Sequence, residues 1–469
     1  MIERIPRSAF IVAFALAPLV LAYLAYSRPW YFTSQTYLGG LILIEFLVAA
    51  VWLYRSVFFP VVITSFLLAG VNLHVGTFWT AGRWVFLGVG ALVGLLIILK
   101  ERSYHFGLFD AVAFFAVLSA LISAAVSLYP EVTLLKVLSI LLLFIYCATG
   151  ARIAVTGREN RFLAGLLTAS ELFVGVNAAC YAVGIEAMGN PNSLGAVMGV
   201  VAAPVLLWGA LLGGERLVRR RRWALFAIAL YLVFISQARA GIAAAFVSCG
   251  LLCLAVRKYK LLVEGSVVIV IIVAASAIFR PAAIPSLAST VVYKGVDQEA
   301  GLLASRVSPW RAAVDSIRDH PWFGSGLGTT ADGHPHDELG MFASSTTVTS
   351  EHGSSYLAIM TGVGVVGVVP FSLLLLLLLG KVLRTTAWML RSKSVSHPAV
   401  PLAMILLGGF VHAAFEDWMF APGNYLCVVF WSLAFVLCDL APSSPLPGFA
   451  VRWQAAVTRR AAGQFASNP

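Results

Sequence analysis

The stretch "LLLLLLLG", residues 373–380, contains seven consecutive leucines and no charged residue. Leucine favours helix, and in lipid every backbone N–H and C=O group has to bond within its own segment. The run lacks the alternation of a barrel strand, so it predicts a membrane-spanning helix. It lies in an apolar block that extends over residues 354–380.

Apolar blocks of this kind recur along the whole chain of 469 residues, of which 60% are hydrophobic and 11% charged. The mean hydropathy is +0.91. Because about 20 apolar residues span a bilayer, we predict spans at 9–26, 38–54, 57–73, 84–99, 109–128, 132–154, 161–184, 192–213, 222–236, 239–256, 260–278, 354–380, 398–416 and 424–440. The predicted fold class is all-α, a polytopic integral membrane protein with about 12–14 transmembrane helices. We interpret the first block as a retained span and not a signal peptide, since similar blocks follow it.

The net charge of +11 is distributed unevenly. With the N-terminus cytoplasmic, most lysines and arginines fall in cytoplasmic segments, including "ERLVRRRRW" (215–223) and "RKYK" (257–260). Cytoplasmic loops of membrane proteins carry such an excess, so the charge predicts topology and not a nucleic-acid partner. Both termini are predicted to be cytoplasmic, and residues 279–353 form one long outer segment carrying short helices.

All six cysteines lie inside predicted spans. Free cysteine usually behaves as a small buried apolar residue, so no disulfide framework is implied. The paired positions Cys249 and Cys253 favour packing over a redox or metal role.

Three short sequences face outward in this topology, each at the start of an inbound helix: "GNPNSLG" (189–195), "SQARAG" (236–241) and "SEHGSS" (350–355). Helix N-termini attract anions, so the three together could form an anion site if they converge. The alternative is that Asn192, Ser236 and Ser354 only cap their helices.

Arg239 is the basic residue of a very short outer connection. One interpretation is a side chain that extends to the membrane interface, and the other is a guanidinium that holds phosphate in a bidentate fashion.

The long outer segment contains a predicted amphipathic helix at 309–320. Ser308 and Pro309 form an N-cap and first-turn pair, and Trp310, Val314 and Ile317 share one face. Arg306 precedes this helix, where it can point toward a ligand. Arg311 is a further candidate for substrate contact, although its spacing to Asp315 also allows an ion pair.

For two further motifs in the outer segment we favour an interpretation without a bound ligand. "GSGLG" (324–328) lacks the preceding strand of a dinucleotide fingerprint, which favours a flexible turn. "DGHPHDE" (332–338) holds two histidines and three carboxylates, but such loops are usually solvated. We therefore predict no metal and no cofactor.

His352 stands just before the inbound helix that begins near residue 354. The positive end of the helix dipole disfavours imidazolium, so a neutral ring that accepts a proton is predicted. Glu351 either orients this ring or is solvated. The alternative for His352 is an interfacial cap residue.

Five sequence features carry a resemblance: Asn-Pro-Asn-x-Leu at 190–194, Ser-x-x-Arg at 236–239, Arg-x-x-x-Trp at 306–310, His-Pro-x-x-Gly-x-Gly-x-Gly at 320–328, and His352. Together they resemble the O-antigen ligase and polymerase superfamily, over roughly residues 188–380. Members act on undecaprenyl-pyrophosphate-linked glycans at the outer face of the bacterial inner membrane. Many members have Asn after the histidine, where this chain has Gly353.

The resemblance implies a metal-independent, inverting glycosyl transfer with Arg239, Arg306 and His352 as catalytic residues. Candidates for substrate binding are Arg239, Arg306, Asn190, Asn192, Trp310, Arg311 and Glu351. It also implies three regions: N-terminal transmembrane helices at 1–187, a catalytic region at 188–440 that includes the periplasmic segment 279–353, and a cytoplasmic tail at 441–469. The implied partners are a lipid-linked glycan donor, a glycan or lipid A-core acceptor and membrane lipids.

The fourteen predicted spans favour a polymerase of O-antigen or exopolysaccharide repeat units, since twelve are expected of the ligases. The alternative is a ligase that attaches the glycan to lipid A-core. A transporter is the alternative of another class, because Glu45, Lys136 and Glu171 lie inside predicted spans.

Overall fold

The computed structural model describes residues 53–70, 76–101, 106–127, 129–188, 190–265, 304–328 and 352–442, with isolated positions before residue 53. Most of the predicted spans 9–26 and 38–54, the end of span 260–278 and most of the tail lie outside these residues. Glu45, Glu351 and the "DGHPHDE" segment also lie outside them.

The described residues form helices and connecting loops, without a β-strand. In chain order the helices that matter here are α1 (Tyr54–Ala69), α2 (Gly76–Glu101), α3 (Leu108–Val126), α4 (Pro130–Val155), α5 (Glu159–Ala182), α6 (Pro191–Leu211), α7 (Arg216–Ile235), α8 (Arg239–Ala255), α9 (Ala304–Asp319), α10 (Ser355–Ser392), α11 (Ala399–Ala413) and α12 (Tyr425–Leu440). Both α4 and α6 contain one π-helical turn, at Cys147–Ala151 and Val197–Ala202.

Six of these helices are long and apolar enough to cross a membrane: most of α2, and α3, α4, α5, α6 and α10. Shorter apolar helices lie in α1, α8, α11 and α12. Each falls on a predicted span. The prediction of an all-α, polytopic membrane protein is therefore confirmed.

Helices α11 and α12 form the centre of the bundle. Nearly every residue of both is buried, including Leu402, Met404 and Leu433 at 0% exposure. A helix that is apolar on all sides packs against neighbours all round. The loop between these two helices is thus held at the middle of the protein and not at its edge.

Helices α6 and α8 cross closely where Gly199 meets the backbone of Gly241. Two facing residues without a Cβ let the backbones touch. The crossing brings the start of α6, in "GNPNSLG", beside the start of α8, in "SQARAG". The hydroxyl of Tyr425 at the start of α12 donates to Ser193 O at 3.2 Å, so the same corner also contacts α12.

Helix α10 is 38 residues long and runs past the predicted end of its span at residue 380. The predicted span ends too early because the charged residues Lys381 and Arg384 lower the local hydropathy. Lysine and arginine are nevertheless good helix formers, so the helix continues. Near its start the helix is broken at Gly364, whose φ of 61° and ψ of −171° are open only to glycine.

The glycine-rich segment 320–328 fills this break. Ser325 N donates to Thr361 O at 2.9 Å and Gly326 N donates to Gly362 O at 3.1 Å, while Val365 N donates to Pro321 O at 2.9 Å. Gly324, Gly326 and Leu327 are buried. The prediction of a flexible turn at "GSGLG" is wrong, because these glycines provide close backbone packing and positive φ angles.

Helix α9 begins at Ala304, five residues before the predicted start at 309. Pro309 lies inside it, at the sixth residue, where it removes one backbone N–H donor from the helix. Arg306 therefore belongs to the helix and does not precede it. The buried face contains Ala313 and Ser316, whereas Val314, predicted to be on the apolar face, is exposed.

The ends of helices that were predicted to be cytoplasmic meet one another. Arg152 at the end of α4 bonds Asp110 at the start of α3, at 2.7 Å, and Asp439 near the end of α12, at 3.0 Å. This grouping agrees with the predicted alternation of the spans.

Candidate functional site

A loop of residues 414–424, here called the acidic loop, joins α11 to α12 and carries neighbouring carboxylates at Glu416 and Asp417. Two hydrogen bonds from side chains outside the loop hold its backbone in place. The Trp431 indole N–H donates to Met419 O at 2.7 Å, and Arg83 Nη1 donates to Gly423 O at 2.8 Å. The loop therefore holds the two carboxylates in fixed positions.

Asp417 holds His352. Its Oδ2 lies 2.9 Å from His352 Nδ1, and His352 is only 8% exposed. An ionised carboxylate only accepts hydrogen bonds, so Nδ1–H donates and Nε2 is left as the basic nitrogen. The sequence interpretation did not include this carboxylate, which comes from a distant part of the chain, and Glu351 lies outside the described residues.

Glu416 pairs with Arg306 through Oε1 and Nη2. Arg306 lies in the first turn of α9, and Trp310, one turn later, donates from its indole N–H to Gly353 O at 3.1 Å. The Arg-x-x-x-Trp spacing thus places both side chains on one face of α9. This face docks on the residues next to His352.

Gly353 has a φ of 62°, and a Cβ there would lie 3.2 Å from the ring of Trp310. Asparagine is among the non-glycine residues that tolerate this conformation best. The close approach of Trp310 accounts for glycine at this position in the present chain.

Arg239 is the first residue of α8 and is half-buried. The charges of Arg306 and Glu416 both act on its guanidinium. The two predicted arginines therefore belong to one electrostatic cluster, although they are far apart in sequence. Each of the two guanidinium groups can donate two parallel hydrogen bonds to a phosphate group.

The three helix starts singled out in the sequence lie around the acidic loop, but their caps differ from the prediction. Asn190, and not Asn192, caps α6 by accepting from Asn192 N at 2.8 Å. Ser236 ends α7 and accepts from Ala238 N at 3.3 Å. Ser354 occupies the N-cap position of α10 without a capping bond from its side chain. The amide oxygen of Asn190 is thus occupied within the protein.

Arg311 is not brought to the cluster. Its side chain is exposed on α9. Asp315, its predicted partner, pairs instead with Arg318 at 3.3 Å. The i,i+3 spacing competes with the i,i+4 spacing on a helix, and here the former is used.

Glu416 and Asp417 were missed by the sequence interpretation. A signal was available, because the argument that singled out Arg239, a charge in a short outer connection between spans, applies equally to "FEDWMFAPGN" at 415–424. Lys136, predicted to be an intramembrane charge, is acted on by the Asp417 carboxylate and belongs to the surroundings of the site.

The described residues contain no group of three or more His, Cys, Asp or Glu side chains arranged to hold a metal ion. The charged side chains of the cluster pair with one another, Arg306 with Glu416 and His352 with Asp417.

Comparison with known protein families gives one match. Residues 224–372 match the family model described as O-antigen ligase. This region is similar to the O-antigen ligase family. The O-antigen ligase match includes Arg239, Arg306 and His352, whereas Glu416 and Asp417 lie beyond its end. No curated protein sequence matches the chain. The predicted resemblance to the O-antigen ligase and polymerase superfamily is confirmed.

Proposed function

We propose that the protein transfers a glycan from an undecaprenyl-pyrophosphate carrier to a sugar hydroxyl at the periplasmic face of the bacterial inner membrane. The observation that carries the proposal is the convergence of His352, held by Asp417, with Arg306, held by Glu416, on two consecutive residues of one loop. This arrangement supplies a base and a cation at fixed separation, as a transfer between a donor and an acceptor requires.

Arg239 and Arg306 act on the donor. When the bond between the anomeric carbon and the phosphate oxygen breaks, negative charge grows on the leaving pyrophosphate. Guanidinium groups in a water-poor site stabilise that charge more than they stabilise the bound donor. Two such groups supply the neutralisation for which other enzymes use a divalent ion, so the proposed mechanism requires no metal or cofactor.

His352 acts on the acceptor. Its Nε2 takes the proton of the attacking hydroxyl while the oxygen forms a bond to the anomeric carbon from the side opposite the pyrophosphate, which inverts the configuration. Asp417 stabilises the imidazolium that results. The products are a glycoside and undecaprenyl pyrophosphate, and the proton leaves to water when the ring resets.

Substrate contacts are also proposed for Asn190, Asn192, Trp310, Arg311 and Glu351, and two of these residues are given specific parts. Trp310 can offer the face of its ring to a sugar while its N–H remains on Gly353. Arg311 is exposed on α9 and is proposed to contact only the outer part of a long glycan.

Polymerisation of repeat units is the reaction favoured by the fourteen predicted spans. Ligation to lipid A-core is the second candidate, favoured by the description of the matching family as O-antigen ligase. Both use the same donor site and differ in the acceptor. The purified protein is to be supplied with undecaprenyl-pyrophosphate oligosaccharide, with and without lipid A-core. A polymerase lengthens the lipid-linked glycan in both mixtures, and a ligase forms product only with lipid A-core.

A transporter is less well supported by the charges within the bundle. Glu171 pairs with Arg221 at 2.6 Å and Arg222 at 3.1 Å, at the end of α7 that is predicted to be cytoplasmic. These ion pairs join α5 to α7, which is typical of a structural contact between helices. In proteoliposomes a carrier moves the lipid-linked glycan across the bilayer unchanged, whereas the proposed enzyme changes its covalent structure.

A further inference from the structure

We infer that Ser355 is a positioning residue that sets the register of the acidic loop, so that Asp417 and not its neighbour faces His352. The inference rests on the proposed function, because it assigns Ser355 a part in the same transfer. Ser355 lies three residues after His352, in the first turn of α10, and is 0% exposed.

The hydroxyl of Ser355 uses its whole hydrogen-bonding capacity on the acidic loop. It donates to Glu416 O at 2.7 Å, and its oxygen accepts from Trp418 N and Met419 N, each at 3.0 Å. A hydroxyl has one proton and two lone pairs, so all are occupied. The three bonds bracket Asp417 on both sides without touching its side chain.

Register matters in this loop because the two carboxylates have different partners. Glu416 pairs with Arg306, and the next residue, Asp417, pairs with His352. A displacement of the backbone by one residue would exchange the two carboxylates. The Ser355 hydroxyl bonds to Glu416 O on one side of Asp417 and to the amides of Trp418 and Met419 on the other. These bonds hold the backbone of Asp417 in one position.

Loss of the hydroxyl should loosen the two carboxylates unequally. The backbone N–H of Ser355 also donates to Glu416 O, at 3.2 Å, and that bond survives any substitution other than proline. The N–H groups of Trp418 and Met419 lose their acceptor. Asp417 is therefore released more than Glu416, and proton transfer should suffer more than donor binding.

Ser355→Ala is the test, assayed as the full chain in proteoliposomes with undecaprenyl-pyrophosphate oligosaccharide. We expect kcat to fall about 10- to 100-fold, a part of what a positioned base contributes, with the donor KM within about threefold of wild type. The matched control is Ser354→Ala, since the neighbouring serine is also buried but makes no capping bond with its side chain. It should retain wild-type kcat.

A double-mutant cycle separates positioning from general support of the fold. In an Asp417→Ala background the substitution of Ser355 should have no further effect on kcat, because the group through which it acts is gone. If Ser355→Ala is not recovered from membranes, Ser355→Cys fills the same space with a weaker hydrogen-bonding group and carries the same expectation.

A kcat for Ser355→Ala within twofold of wild type would overturn the inference. So would an equal loss in the Asp417→Ala background, which would mark a purely structural role. Absence of any transfer by the wild-type protein would contradict the proposed function and this inference together. Normal transfer by wild type and by Ser355→Ala would contradict only the inference.

Discussion

His352 and Asp417 are 65 residues apart in sequence and form a hydrogen bond of 2.9 Å between Nδ1 and Oδ2. The bond joins the start of α10 to the loop between α11 and α12. It orients the ring so that Nε2 carries the lone pair, as the proposed role of His352 as a base requires. The geometry of this pair determines most of the predictions below.

Asp417→Asn should lower kcat by on the order of 10²-fold or more. The amide keeps the size of the side chain but can donate to Nδ1, which selects the tautomer with its proton on Nε2 and removes the base. Initial rates at saturating donor measure the effect. Asp315→Asn, at an exposed pair with Arg318, is the control and should behave as wild type. Equal rates for Asp417→Asn and wild type would assign the orientation of His352 to another group.

His352→Gln should be nearly as impaired as His352→Ala, on the order of 10²-fold or more below wild type. Glutamine retains hydrogen bonding but accepts no proton near neutral pH. The wild-type rate should also fall as the pH is lowered and the ring becomes protonated, since imidazolium cannot act as a base. Substantial turnover by the Gln variant would mean that His352 only positions the acceptor.

Arg306→Lys should raise the donor KM and recover little of the activity lost in Arg306→Ala. One ammonium group cannot hold a phosphate in bidentate fashion and also keep the contact with Glu416. Arg239→Lys should behave alike. Arg318→Lys, exposed on the same helix as Arg306, provides the control. Near-normal KM and kcat in either Lys variant would indicate a simple electrostatic role.

Gly364→Ala should destabilise the protein by about 2 kcal/mol or more. The conformation at this residue is open essentially to glycine alone, and departures cost about 1–3 kcal/mol. An added Cβ would also lie 2.5 Å from the backbone nitrogens of Phe323 and Gly324. Gly380→Ala is the matched control in the same helix, where the added methyl meets open space and should stabilise by about 0.5–1 kcal/mol. Thermal unfolding in detergent compares the two, and equal melting temperatures would contradict the role of the helix break.

A cysteine introduced at Arg318 should react with an impermeant thiol reagent in spheroplasts, and one introduced at Arg220 should not. This follows from the basic excess in the segments predicted to be cytoplasmic. The native cysteines are buried or half-buried in the bundle, so the unmodified protein gives the background. The reverse labelling pattern would place the proposed site on the cytoplasmic face.

The helices could be predicted from sequence because apolar length alone decides which segments enter a bilayer. The limits of that rule appear in α10, where Lys381 ends the apolar run while the helix continues to Ser392. They appear again in α9, where Pro309 suggests a start that the structure places at Ala304.

Arg239, Arg306 and His352 could be selected from sequence because each stands beside a recognisable motif. Their partners could not be selected in this way, since Glu416 is 110 residues from Arg306 and Asp417 lies far beyond the matched family region. Contacts of this kind depend on how helices pack and leave no local pattern.

The central claim is a glycosyl transfer that uses His352, and its most direct test is the release of undecaprenyl pyrophosphate by purified protein in proteoliposomes. Mass spectrometry follows the synthetic undecaprenyl-pyrophosphate oligosaccharide, with lipid A-core present so that either acceptor is available. The account predicts that wild-type protein forms a new glycosidic bond for each undecaprenyl pyrophosphate released, and that His352→Ala and Asp417→Asn form little of either. Recovery of the donor chemically unchanged from wild-type proteoliposomes, or equal product from wild type and His352→Ala, would contradict it.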